Sequence, residues 1–450
     1  MSRQVYPRYK TTGIEWLAEI PEHWEAKRLR FLLSEPLKYG ANESAELDDP
    51  DLPRYIRITD VHENGRLRED TFKSLPEDVA YPYLLKEGDL LFARSGATVG
   101  KSFYYESSWG RAAYAGYLIR ARFNAERMMP RFINYFTNSH QYWQWLGLSF
   151  IQATIQNVSA EKYANLVVTV PAIYEQRAIA AFLDRETARI DALIEKKRTQ
   201  AELLQEKRTA LISHTVTKGL NPNAKMKDSG IGRLGQIPEG WEVKRIKHLG
   251  AIRYGLGEPP EYVDEGLPFI RATDIKRGKI DLDTVRKVRR EDVPWSRRPT
   301  LQIGEILVVR SGAYAGDSAI VTEDVEGCIA GYDMILTITY AHAPFVAWVL
   351  LSKYMLQGQI YLERMRAAQP HLNAEELGGF VILMPPLAEQ LQIAKTLSRE
   401  TDKLDALADK INGSIEMLRE HRTALISAAV TGKIDVRDSI EQHPKQFKRG

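Results

Sequence analysis

The chain has 450 residues, 62 Lys and Arg against 59 Asp and Glu, and one cysteine, Cys328. Its length predicts two to four domains at roughly 100–200 residues each, and 44% apolar with 27% charged residues excludes wholesale disorder. One cysteine excludes a disulfide scaffold and a cysteine-rich zinc site and agrees with a reducing compartment, while a net charge of +3 neither demands nor excludes nucleic acid.

Met1 to Lys10 is polar and basic with no apolar segment behind it, so no signal peptide is expected. Leu90-Leu91-Phe92-Ala93 follows a Gly88-Asp89 turn and reads as a buried strand. Residues 131–146 read as a helix, and Leu166 to Val170 as a strand that stops at Pro171. A long helix follows from Glu175-Gln176 to about Ser213, roughly 39 residues or about 58 Å. The series then starts again. Ile306-Leu307-Val308-Val309 is a strand after Gly304-Glu305, and residues 345–362 read as a helix. Its most apolar stretch, 344–351, is far below the roughly 18–20 residues of a membrane span. Phe380 to Met384 is a strand before Pro385, and a second long helix runs from Glu389-Gln390 to about Ser427. The last residues, about 438–450, are polar and expected to be disordered. The fold class is α+β, with a mixed sheet, and the expected location is the cytoplasm.

The chain is written twice, with a spacing of about 214–217 residues. Ile20-Pro21-Glu22 recurs as Ile237-Pro238-Glu239, and Arg57-Ile58-Thr59-Asp60 as Arg271-Ala272-Thr273-Asp274. Arg94-Ser95-Gly96-Ala97 recurs as Arg310-Ser311-Gly312-Ala313, and Ala115-Gly116-Tyr117 as Ala330-Gly331-Tyr332. The longest identity, Arg208-Thr209-Ala210-Leu211-Ile212-Ser213, returns at 422–427. A unit this size is a duplicated domain rather than a solenoid repeat, and the sharper reading is pseudo-two-fold symmetry, the chain acting as its own dimer. Both long helices carry the same broken heptad seam. It runs through Leu183, Ile190, Ile194, Leu204 and Leu211, and through Leu397, Leu404, Ile411, Leu418 and Leu425. Thr187 and Thr401, Arg208 and Arg422 share slots on it. Matching seams predict that the two helices pack together, antiparallel if a two-fold axis crosses them.

No catalytic constellation emerges. There is no Cys-x-x-Cys, His-Glu-x-x-His or Gly-x-Ser-x-Gly pattern. Gly100-Lys101-Ser102 lacks the upstream glycine of a phosphate loop, and its repeat reads Gly316-Asp317-Ser318. What is duplicated and polar suits recognition. Arg94, Ser95 and Gly96, and Arg310, Ser311 and Gly312, end a buried strand where glycine permits close approach and arginine reaches phosphate or guanine; the alternative is a turn whose arginine sits in an internal ion pair. Lys101 lies beside the first block. Gln156 and Asn157, and His371 in the repeat, lie in stretches, 152–159 and 369–373, whose side chains suit adenine or phosphate contact, or simply cap a following helix. Arg57 and Arg271 are weaker candidates, each with an aspartate three residues on. The copies differ in their loops. Arg286, Lys287, Arg289, Arg290, Arg297 and Arg298 form a basic run, whereas the first copy has there only Lys73 and carries instead Tyr104, Tyr105, Trp109, Tyr114 and Tyr117. Each phosphate neutralised by such a run steepens the salt dependence of binding.

Several blocks together resemble a known family. Tyr9-Lys10-Thr11-Thr12-Gly13-Ile14-Glu15-Trp16-Leu17 with Ile20-Pro21-Glu22-His23-Trp24 resembles the opening of the specificity subunit of type I restriction-modification enzymes. The strand-turn blocks ending at Gly96 and Gly312, the helix starts, the Arg-Thr-Ala-Leu-Ile-Ser blocks and Ala429 to Asp435 fit too. The resemblance runs through about residue 437. It implies two target-recognition domains, residues 1–173 and 218–387, a central helix at 174–217, a C-terminal helix at 388–437 and a tail at 438–450. Each domain would read one half of a bipartite, asymmetric site on double-stranded DNA. The helices would hold the half-sites about one duplex turn apart, roughly 34–36 Å. Methylation subunits, two in number, would dock on the helices and bring S-adenosylmethionine; motor-nuclease subunits would bring ATP and Mg²⁺. The chain itself is then non-catalytic, without cofactor or metal, and it lacks an Asn/Asp-Pro-Pro-aromatic methyltransferase motif. The alternative is an assembly scaffold with degenerate DNA recognition; a self-sufficient nuclease is a third reading that the missing motifs disfavour.

Overall fold

A computed structural model describes residues 4–62, 65–96, 98–150, 157–232, 234–276, 278–364 and 371–437. The polar tail at 438–450 lies outside them. The chain forms two compact units, Met1–Lys196 with Gly413–Gly450, and Lys197–Asn412.

In the first unit Glu25–Arg28 pairs antiparallel with Val167–Val170. A four-stranded antiparallel sheet runs in the order Lys38–Tyr39, Leu118–Ala121, Leu90–Ala93, Ser102–Tyr104. Leu90–Ala93 is interior to it and buried throughout, as an uninterrupted apolar run requires. Arg54–Ile56 pairs in parallel with Ala112–Tyr114, so pairing is mixed as expected. The helix expected over 131–146 is two, Pro130–Phe136 and His140–Phe150. The break has a side-chain cause. The Ser139 hydroxyl donates to Phe136 O at 2.6 Å and accepts the Tyr142 N–H at 3.3 Å, so it closes one helix and opens the next.

The second unit repeats this plan. Glu242–Arg245 pairs with Val381–Met384, and the sheet runs Gly250–Tyr254, Met334–Ile338, Ile306–Val308, Ser318–Ile320. Ser352 breaks the helix expected over 345–362, donating to Val349 O at 2.6 Å and accepting the Met355 N–H at 3.2 Å. The result is Ala343–Leu350, Lys353–Met355, a π turn at Leu356–Ile360 and Tyr361–Arg364. One sheet has grown here. Leu267–Ile270, parallel to Ile329–Ala330, is joined by Arg286–Val288 and Tyr262–Val263. The strand Arg286–Val288 is the start of the basic run. A core of Trp241, Leu249, Phe345, Leu350, Leu372, Ile382, Ile393 and Leu397 joins the sheet to both long helices.

The central helix spans Ile173–Lys218 and the C-terminal helix Leu387–Val430, both longer than their apolar patterns suggest. Gln176 and Gln390, in the first turn of each, are buried anchors. Gln176 accepts the Met129 N–H at 2.7 Å and donates to Pro171 O at 2.9 Å; Gln390 accepts the His342 N–H at 2.9 Å and donates to Pro385 O at 2.8 Å.

The helices pack together antiparallel. In the first unit the Thr169 hydroxyl, just before the central helix begins, donates to Val430 O at the end of the C-terminal helix at 2.6 Å. Further along, Arg422 pairs with Asp191 at 2.8 Å. In the second unit Gly219, past the end of the central helix, lies against Glu389 at the start of the other, and Arg208 pairs with Asp405 at 2.9 Å. The shared arginine slot of the seam thus meets the same aspartate slot in each unit. Leu183, Ile190, Ile194, Leu397, Ile411 and Leu425 are buried, and Leu204, Leu211, Leu404 and Leu418 half-buried. No described helix is long and apolar enough to cross a membrane.

Candidate nucleic-acid interface

Each unit ends a buried strand with the same triplet, its arginine carbonyl held in the same way. Arg94 donates its N–H to Tyr117 O at 3.0 Å, and its carbonyl accepts the Val158 N–H at 2.8 Å. Arg310 donates its N–H to Asp333 Oδ1 at 3.1 Å, and its carbonyl accepts the Leu372 N–H at 2.8 Å. Ser95 bridges Asn157, and Ser311 bridges His371, both antiparallel. Gly96 and Gly312 then turn the chain at φ 80° and 83°, a left-handed conformation that a Cβ would strain. The sequence-predicted Gln156 lies outside the described residues.

The guanidinium groups lie on aromatic faces. Arg94 Cζ is 4.8 Å from the Tyr39 ring centre; Arg310 Cζ is 4.7 Å from Tyr254 and 4.5 Å from Tyr332. Such contacts stabilise by about 0.5–2 kcal/mol and fix the plane of the group. The tyrosines are themselves fixed. The Tyr39 hydroxyl accepts the Ala160 N–H at 3.1 Å and Tyr254 that of Ala374 at 2.9 Å, each at the first turn of a short helix capped by Ser159 or Asn373. Neither arginine pairs with a carboxylate among the described residues. The Nε of each is buried without a hydrogen-bond partner, as is Asn157 Oδ1. A buried polar atom left unmatched within the chain costs about 1–3 kcal/mol. Burial also pushes Asp333 up to about 6, against the opposing pull of the Arg310 N–H.

Other candidates are placed elsewhere. Arg57 and Arg271 turn inward onto Asp60 and Asp274, with bonds of 2.8–3.1 Å from backbone and guanidinium, so they fix turns. Lys101 lines a separate cleft of about 1310 Å³ with Arg54, Trp109, Arg131, Trp143 and the helix residues Asp191 and Arg422. In the second unit Arg289, Arg290, Arg297 and Arg298 are all exposed. Arg290 stacks on Trp295 at 5.1 Å, Arg289 reaches Glu261 at 3.4 Å, and Arg298 O accepts from Arg253, the neighbour of Tyr254. Of the first copy's aromatic cluster Tyr105 and Tyr114 are buried, Tyr104, under Arg131, and Trp109 are half-buried, and Tyr117 is exposed. Tyr39, Tyr254 and Asp333 were not singled out from the sequence. The duplicated Tyr-Gly pairs at 39–40 and 254–255 carried the signal for the first two. Among the described residues no group of His, Cys, Asp and Glu is placed to hold a metal ion.

Comparison with known proteins places this architecture. The chain is 22% identical to the type I restriction enzyme StySPI specificity subunit of Salmonella potsdam, over 92% of this chain and 90% of that one. It is 21% identical to the type I restriction enzyme MjaVIII specificity subunit of Methanocaldococcus jannaschii, over 93% and 95%. The match to the Escherichia coli EcoBI specificity subunit, at 23% identity, takes in 62% of this chain and 61% of that protein. A solved chain described under complex assembly and conformational transition of the type I R-M system superposes with a TM-score of 0.70 at 17% identity, covering 92% of this chain and 99% of that one. The family model for the type I restriction modification DNA specificity domain matches twice, at residues 38–203 and 238–417. With two such matches over most of its length, the chain belongs to the type I restriction-modification DNA specificity family.

Proposed function

We propose that this chain is the non-catalytic reader of a type I restriction-modification complex, residues 1–173 and 218–387 each recognising one half of a bipartite site on double-stranded DNA. The observation that carries the reading is the duplicated arginine. Arg94 and Arg310 are held on tyrosine faces at a surface turn, without a carboxylate partner and with a buried, unmatched Nε. An arginine oriented in advance loses little freedom on binding and presents its outer N–H groups to phosphate or to guanine O6 and N7. Ser95, Gly96, Ser311 and Gly312 supply hydroxyls and close backbone approach beside it. In the second domain the exposed Arg289, Arg290, Arg297 and Arg298 add charge for the backbone, and in the first Lys101 adds a positive charge from its separate cleft.

The helices at 174–217 and 388–437 serve as the docking site for methylation subunits. Their seam is taken up in pairing, but the same two outward slots are apolar in both: Leu193 and Leu407, and Leu203 and Met417, each 43% exposed or more. Exposed side chains at repeated slots suit partner helices. S-adenosylmethionine then belongs to the methylation subunits, and ATP and Mg²⁺ to motor-nuclease subunits. The test is a genome-wide map of adenine methylation made with the full chain and its methylation subunits. One interrupted motif supports the reading, and replacing residues 229–386 should change one half of it. A stable complex that methylates no motif refutes it in favour of a scaffold.

A further inference from the structure

The two arginine sites share a frame and differ at one position on it. Residues 157 and 371 each occupy the bridge to the serine beside the arginine. The next residue, Val158 or Leu372, is fully buried and bonds the arginine carbonyl at 2.8 Å. Three positions on, Ala160 or Ala374 is tied to the tyrosine under the guanidinium. The backbone of 157–160 and of 371–374 is therefore pinned to the arginine and its tyrosine at three points. Within this repeated scaffold the side chain is an amide in one copy and an imidazole in the other. Asn157 Oδ1 is, moreover, a buried acceptor with no partner, beside an Arg94 whose Nε is a buried donor with no partner.

Resting on the reading that these sites bind DNA, we infer that position 157/371 is the specificity-determining side chain of each domain, selecting the base next to the one its arginine contacts. Asn157 presents a carboxamide, whose oxygen and NH₂ together match adenine N6 and N7. His371 presents a single ring N–H and a single ring acceptor and cannot make that paired contact, so it selects a different base edge.

The experiment uses the full chain in complex with methylation subunits, incubated with a random-sequence double-stranded DNA pool, the bound fraction being sequenced. N157H should remove an adenine preference at one position in one half-site and leave the other half unchanged. H371N should create an adenine preference at the matching position of the other half. N157A and H371A should flatten the preference at those positions and weaken binding about 5–150-fold, and they keep the test valid should either exchange lower the melting temperature. A wild-type motif retained by all four variants, or a change in both halves from one substitution, overturns the inference while the DNA reading stands. A wild-type complex that enriches no motif overturns both.

Discussion

The repeated ion pair in the helix seam offers an internal control on what burial does to a salt bridge. Arg208 and Arg422 occupy the same slot, as do Asp405 and Asp191, and each pair closes at 2.8–2.9 Å. Their surroundings differ. The Arg208 side chain is 5% exposed and Asp405 27%, whereas Arg422 is 31% and Asp191 46% exposed. Arg208 also lies 5.9 Å from the Trp348 ring, and its Nε approaches Asp405 off the line that a hydrogen bond needs. Removing Asp405 therefore takes the carboxylate of this ion pair from a buried guanidinium, a loss that reaches about 3–5 kcal/mol for a fully buried pair. The part-exposed carboxylate, and Lys279 Nζ at 3.6 Å from it, place Asp405→Ala at roughly 2–4 kcal/mol. Asp191→Ala leaves a guanidinium that water reaches, and it should cost under about 1 kcal/mol. Native-state amide exchange along the central helix reads both effects locally, without assuming that the units unfold together. The double substitution Arg208→Met with Asp405→Leu should recover most of the loss, since an apolar pair restores the packing without a buried charge. Equal losses for Asp405→Ala and Asp191→Ala, or a double variant as unstable as Asp405→Ala, would refute the reasoning.

Three further outcomes follow from the arginine sites. Asp333, with its pKa raised by burial to about 6, holds its proton in the folded state at pH values where the unfolded group, at about 3.9, has lost it. Its contribution favours folding below about pH 4 and disappears as pH rises through about 6. Asp333→Asn keeps an acceptor for the Arg310 N–H and should stabilise the second unit by on the order of 2–3 kcal/mol near pH 7 but little near pH 4; melting curves showing the same gain at both pH values would contradict this. Arg94→Ala and Arg310→Ala should each leave melting within a few degrees of wild type, weaken DNA binding, and lower the salt slope by about one if the contact is to phosphate; unchanged affinity would remove these residues from the interface. Gly312→Ala meets open space and should cost only the left-handed backbone penalty of about 1–2 kcal/mol. Gly316→Ala adds a Cβ that runs into Ile360 and should cost more, and equal melting temperatures for the two would show that the loop relaxes.

Much of the fold was legible because it was written twice. Strings such as Arg-Thr-Ala-Leu-Ile-Ser mark equivalent positions, and the shared heptad slots place the helices face to face. Leu90–Ala93 and Ile306–Val308 were legible as buried strands because no polar residue interrupts them. The helix breaks were not. Ser139 and Ser352 stop a helix through hydrogen bonds to backbone groups three residues away, and serine within a helical pattern does not announce that choice. At the site, the arginines could be named but not their state. Arg57 and Arg94 both follow buried strands, yet one turns onto Asp60 and the other onto Tyr39. Asp60 lies three residues from Arg57, whereas Tyr39 reaches Arg94 only through strand pairing across more than fifty residues of chain.

A second duplicated feature shows which positions such a scaffold holds and which it releases. Asp89 and Glu305 are both buried, and both fix a turn by accepting a backbone N–H, from Lys86 at 2.8 Å and from Gln302 at 3.0 Å. A buried carboxylate also needs a countercharge. Asp89 takes it from Arg122, at 2.8 and 2.6 Å, beyond the strand Leu118–Ala121. Glu305 takes it from Arg253 on the strand Gly250–Tyr254, where Arg122's repeat position is Thr337, which donates its hydroxyl at 2.7 Å instead. The acid stays because the backbone turn depends on it. The cation has changed strand because only charge and reach are required of it. The arginine sites divide in the same way: the arginine, its tyrosine and the pinned backbone repeat, while the side chain at 157 and 371 is held in place by its neighbours' bonds and not by its own. A position so supported changes its chemistry without disturbing the fold, and that is the freedom the DNA-reading role proposed for it requires.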